Sequence, residues 1–138
     1  MSVGTKAHIM IIDDEAPMRG LLKDFLESQG YQVSSFSSAS TAIKFLRDTP
    51  KTDAIISDIQ MSPMNGLDLL RIIKRDLPRL PVLLFTAAGS VEERAQSLKL
   101  GAEKYFIKPF PLTELKSSLE QLLAKQASTF PLITKGKP

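Results

Sequence analysis

At 138 residues, with 43% hydrophobic and 24% charged side chains, the chain suits one globular domain with a substantial core. It has no cysteine and one histidine, His8, which excludes disulfides, thiolate zinc sites, cysteine nucleophiles and multi-histidine metal sites. The formal net charge is +3, and Lys135 and Lys137 supply two of those charges; the near-neutral remainder argues against a nucleic-acid surface.

No apolar run approaches the ~20 residues that span a bilayer, and Met1 to Ala7 lacks a signal-peptide core. A cytoplasmic protein away from membranes is expected. Ile9-Met10-Ile11-Ile12 is too short for a helix and predicts a buried strand, started by a non-catalytic His8 and followed at once by Asp13 and Asp14. Met18, Leu21, Leu22, Phe25 and Leu26 recur at helical spacing, and Gly30 provides a stop. Tyr31 to Phe36 alternates apolar and polar residues, as an edge strand does. Ser38 is placed to cap a helix through Ala42, Phe45 and Leu46.

Ala54-Ile55-Ile56 predicts a third strand with Asp58 beyond it. Leu67, Leu70, Ile73 and Leu77 line a third helix that Pro78 closes, and Arg71, Lys74, Arg75 and Arg79 read as its solvated face. Val82 to Phe85 predicts a fourth strand, ended by Thr86. Ser90 and Glu93 have capping-box spacing ahead of Val91, Ala95 and Leu98. That apolar face is thin, so the fourth helix is expected to be the least firmly packed. Tyr105-Phe106-Ile107 predicts a fifth strand ending at Lys108, and Leu112, Leu115, Leu119 and Leu122 carry a last helix. Residues 127–138 lack periodicity and read as a tail or linker after a domain over 1–126.

Five strand–helix alternations predict an α/β fold, a doubly wound parallel sheet with helices on both faces. In such a sheet the strands' carboxyl ends share one edge, where ligands bind. Asp13, Asp14, Asp58, Thr86 and Lys108 all fall at strand ends and should converge there. Crowded carboxylates repel one another, which raises their pKa values or calls for a cation. Oxygen ligands without Cys or His favour a hard ion, Mg²⁺ above all. Asp58 then suits a carboxylate nucleophile forming an aspartyl-phosphate, with Thr86 and Lys108 binding phosphoryl oxygens.

These residues resemble the receiver domains of two-component response regulators over roughly His8 to Lys125. The carriers are Ile12-Asp13-Asp14, Ser57-Asp58-Ile59-Gln60-Met61, Met64-Asn65-Gly66, Thr86-Ala87, Gly101-Ala102 and Lys108-Pro109-Phe110. The resemblance implies flavodoxin-like strand order 2-1-3-4-5 and Asp58 as phospho-acceptor. It implies Mg²⁺, or Mn²⁺ in its place, held by Asp13, Asp14, Asp58 and the Gln60 backbone carbonyl. Thr86 and Lys108 become phosphoryl ligands, and Thr86 with Tyr105 the conformational switch. By resemblance too, Gln60 and Ala88 occupy positions that modulate water's access to the phosphoryl group. The implied partners are a sensor histidine kinase or phosphotransfer protein, an output protein or linked output domain, and a second copy in a phosphorylation-dependent dimer. Their face is the fourth helix, fifth strand and fifth helix. Met61-Ser62-Pro63-Met64-Asn65-Gly66 departs from the family's usual Met-Pro-x-Met-Asp-Gly by moving the proline and replacing Asp with Asn. A Mg²⁺-dependent aspartyl-phosphate phosphatase is weaker, because Gln60 stands where an Asp-x-Asp motif needs its second acid. A phosphorylation-independent module on the same fold is disfavoured by the intact five-residue set.

Overall fold

The computed structural model describes residues 7–48 and 51–135, with side chains through Gln126. Among these residues, strands and helices alternate as β1 (His8–Ile12), α1 (Ala16–Ser28), β2 (Gln32–Phe36), α2 (Ala39–Asp48), β3 (Ala54–Asp58), α3 (Gly66–Asp76), β4 (Val82–Thr86), α4 (Val91–Lys99), β5 (Lys104–Ile107) and α5 (Leu112–Lys135). The strands form one parallel sheet in the order β2-β1-β3-β4-β5, as expected. No helix among the described residues is long and apolar enough to cross a membrane.

Apolar residues run through the central strands without interruption because both faces are covered. Successive side chains point to opposite faces. Met10, Ile12, Ile55 and Leu84 therefore join Ala42, Leu46, Leu69, Leu70 and Ile73 in one core. Ile9, Ile11, Ile56, Leu83 and Phe85 join Leu22, Leu26, Leu115 and Leu119 in the other. Each fully buried aliphatic side chain contributes about 1.5–3 kcal/mol over leaving it in water. His8 sits at the far end of β1, its ring nitrogens 2.7 Å from Ser34 Oγ and 3.0 Å from the Lys51 carbonyl oxygen. Ser38 Oγ accepts from Thr41 N–H at 3.3 Å, capping α2 as its spacing suggests. Asn65 caps α3 by accepting from Asp68 N–H at 2.9 Å, a role Asn fills as well as Asp.

Several expectations need correction. Asp58 is the last residue of β3 rather than a loop residue after it. Leu77 follows α3 and is 42% exposed, because the helix closes one residue earlier than the apolar spacing suggests. Lys74 does not belong to a wholly solvated face: its ammonium donates to the Leu80 carbonyl at 2.8 Å and lies 3.4 Å from Glu103. Separately, α5 continues as helix to Lys135, into the segment from residue 127 that reads as a tail or linker. Lys125-Gln126-Ala127 are good helix formers, so nothing local ends the helix there. Residues 136–138, Lys137 among them, and the Met1 to Lys6 part of the N-terminal reading lie outside the described residues.

Candidate functional site

The sheet brings the sequence-distant acids together. Asp13 follows β1 directly, and Asp58 ends β3, the neighbouring strand. Asp13, Asp14 and Asp58 can each present a carboxylate oxygen within 4.8 Å of the others. Asp13 and Asp58 are buried, whereas Asp14 is exposed. Backbone N–H groups hold two of the carboxylates in place. Glu15 N–H donates to Asp13 Oδ1 at 3.0 Å, and Gln60 N–H donates to Asp58 Oδ1 at 3.2 Å. Arg19 adds a guanidinium on the Asp13 carbonyl at 2.7 Å, tying the start of α1 to the acidic loop.

Asp13 Oδ2 is buried without a hydrogen-bond partner. Burial, reinforced by the Asp58 carboxylate, raises the Asp13 pKa from 3.8 to about 6, against the Glu15 N–H and Lys108. Burial likewise raises Asp58, with Lys108 opposing it most strongly. Desolvated like charges of this kind are a standing demand for positive charge. Lys108 Nζ meets part of it, lying 3.7 Å from Asp58, 3.9 Å from Asp13 and 3.8 Å from Glu15. The same ammonium lies 5.0 Å from the centre of the Phe85 ring.

Thr86 is fully buried at the end of β4, beside the strand that carries Asp58. Its Oγ1 accepts from Ala88 N–H at 3.4 Å, and its carbonyl accepts from Lys108 N–H at 2.8 Å. Gly66 faces this edge so closely that an added Cβ would stand 2.5 Å from the Asp58 carbonyl oxygen. Only glycine fits there without moving backbone.

Tyr105, on β5, meets the N-terminus of α4. Ser90 Oγ accepts from Glu93 N–H at 3.0 Å, the first half of the expected capping box. The second half is relayed. Ser90 N–H donates to the Tyr105 hydroxyl at 3.3 Å, and that hydroxyl donates to Glu93 Oε1 at 2.8 Å. Burial and Glu93 together raise the Tyr105 pKa. A Cβ on Gly89 would come within 2.7 Å of the same hydroxyl.

Beside Asp14 opens a cleft of about 390 Å³, lined also by Gln60, Ser62, Asn65 and Glu93 among others. Sequence reasoning assigned Glu93 only to a cap and gave no role to Glu15, Arg19 or Phe85. Glu15 had a readable signal, being the third acid in succession after Asp13 and Asp14. The other two act through contacts that only the fold creates.

Residues 9–120 match the family described as the response regulator receiver domain. A probable transcriptional regulatory protein of Picosynechococcus is 34% identical over 131 residues, which cover 90% of this chain and 52% of that protein. ZraR of Escherichia coli K12, a transcriptional regulatory protein, is 35% identical over 116 residues, covering 84% of this chain and 26% of ZraR. The chain thus spans about half or less of the length of these relatives. A response regulator receiver domain protein from Clostridium thermocellum superposes with a TM-score of 0.85 at 27% identity, over 90% of this chain and 99% of that one. A CheY-like receiver from Methanospirillum hungatei gives 0.84 at 25% identity, over 91% and 99%.

Proposed function

Because the chain belongs to the response regulator receiver domain family, we propose that it is a phosphorylation-controlled switch with Asp58 as acceptor. The observation that carries this reading is the meeting of three carboxylates within 4.8 Å, with an ammonium 3.7 Å from Asp58. Phosphoryl transfer needs a positioned nucleophile and charge neutralisation more than acid–base machinery. Asp58 is held for attack by the Gln60 N–H and backed by Lys108.

The donor set fits Mg²⁺, or Mn²⁺ in its place. Asp13, Asp14 and Asp58 are hard oxygen donors, and Asp13 Oδ2, which has no hydrogen-bond partner, is a ready ligand atom. The Gln60 carbonyl is the proposed fourth protein ligand. When bound, the ion would neutralise carboxylate and phosphoryl charge. Millimolar Mg²⁺ should accordingly raise the melting temperature, and Asp13→Asn should lose most of that gain.

Phosphorylation adds about −1.5 to −2 charges and strong acceptor oxygens. Lys108 and the Thr86 hydroxyl are the groups proposed to bind them. Their backbones share a hydrogen bond, so both strand ends would shift together. That shift would release Tyr105 from α4 and reshape the α4–β5–α5 surface. Converting a 1:99 population to 99:1 needs about 5.5 kcal/mol of differential binding, a sum that several charge-assisted bonds supply. A sensor histidine kinase or phosphotransfer protein is the proposed donor. The reshaped surface would engage an output protein, a linked output domain or a second copy. Residues 1–126 form the proposed receiver unit, and the continuation of α5 its link.

Asp58→Asn tests the assignment. It should abolish labelling by acetyl phosphate in the presence of Mg²⁺, and undiminished labelling would refute Asp58 as acceptor.

A further inference from the structure

Lys108 is crowded by opposite charge yet bonded to none of it. Its ammonium lies 3.7 Å from Asp58, 3.8 Å from Glu15 and 3.9 Å from Asp13. A charge-assisted N–H···O bond is shorter, about 2.7–2.9 Å. Among the described residues Nζ donates no hydrogen bond, so the donors of the ammonium stay free. What it does have is the face of Phe85, whose ring centre is 5.0 Å away. Phe85 is fully buried in β4, and Phe110 packs against it at 5.9 Å while stacking on Phe106 at 5.1 Å. The ring is thus held in place within an aromatic cluster.

We infer that Phe85 is a positioning residue for phosphoryl transfer: its ring face holds the Lys108 ammonium beside the acids without using that group's donors. The inference rests on the reading of Asp58 as acceptor. A carboxylate that captured Lys108 would draw off the donors that phosphoryl oxygens need. An ammonium bonded to Asp58 would also blunt the nucleophile. Attraction to a ring face is electrostatic and claims no single N–H direction. It is stronger here than at a surface, because the Lys108 side chain is only 18% exposed. In the transfer from acetyl phosphate, an Asp58 oxygen attacks phosphorus and the P–O bond to the acyl group breaks. The electron pair leaves on acetate. Lys108 keeps its proton throughout and supplies hydrogen bonds alone, so the place where it waits governs how readily they form. Without the ring's hold, the ammonium closes onto Asp58.

The experiment measures the rate of acetyl phosphate labelling of the full chain with Mg²⁺, with Phe85 replaced by mono-, di- and trifluorinated phenylalanine. Fluorine draws electrons from the ring face while nearly preserving its shape, so the packing stays and the pull on the cation fades. The rate should fall at each step, by about five- to tenfold in all with three fluorines. Phe85→Leu should be at least as slow. Each fluorine should also lower the melting temperature more with Lys108 present than in a Lys108→Met background, a coupling read without any labelling. Level rates across the fluorinated chains, or equal melting shifts in both backgrounds, overturn the role of Phe85 and leave Asp58 as acceptor. A slow Phe85→Leu without a fluorine gradient does the same, since it reports a packing defect. Wild-type chain that takes no label with Mg²⁺ overturns the Asp58 reading and this inference with it.

Discussion

The centre of the sheet and its β5 flank are built to different standards. Every residue of β3 and β4 is buried, and their side chains fill both cores. On the flank, α4 buries only Ser97, whose hydroxyl turns back to the Glu93 carbonyl at 2.8 Å. Val91 there is 81% exposed and Ile107 is 51% exposed. The acids thus stand on a rigid platform, while the surface beside Tyr105 is held by a few polar contacts. Dense burial suits a group that must not move, and sparse polar anchoring suits one that must.

The contrast is tested most severely by Ile56→Ala in β3, which should cost about 2–5 kcal/mol in urea unfolding. A loss below about 1 kcal/mol would deny that the platform is close-packed. The acidic end comes next. The folded-state pKa of Asp13, near 6, lies above its ordinary 3.8. Between those values the folded chain keeps a proton that the unfolded chain has released. The stability contributed is fully present below 3.8 and lost as pH rises through about 6. Without Mg²⁺, stability should therefore fall by on the order of 2–3 kcal/mol between about pH 4 and pH 7. Asp13→Asn should flatten that slope, and an unchanged slope would assign it to other groups.

Smaller effects belong to the flank. Tyr105→Phe removes the hydroxyl between Ser90 and Glu93 and should cost about 0.5–1.5 kcal/mol. Faster amide exchange should appear at Ser90 and not in β3; uniform acceleration would mean the flank is not a separate unit. Val91→Ala should stay within about 0.5 kcal/mol of wild type. A larger loss would show that this exposed side chain packs more than its position indicates.

The sequence made the platform legible and left the flank half-read. Short apolar runs announced the central strands because two-sided burial leaves no polar alternation to confuse them. The acids could be placed at one edge because parallel strands end on the same side. Asp58 was set one step too far out, since a polar residue inside a buried strand looks like its end. On α4 the periodicity misled: Val91, Ala95 and Leu98 are exposed, and the buried position is Ser97, polar but satisfied within its own helix. Glu93 was recognised as a cap residue from its distance to Ser90. No local pattern could show that a tyrosine from β5 would step between them, because that contact joins positions twelve apart through the sheet edge.

The Lys108 N–H to Thr86 carbonyl bond carries a lesson for building hybrids. Anyone transplanting the Thr86 turn from a relative inherits half of a matched pair. Moving the Lys108 turn alone leaves the other half behind. The two segments should be exchanged as one cassette, with the recipient's own β3 kept as the mount.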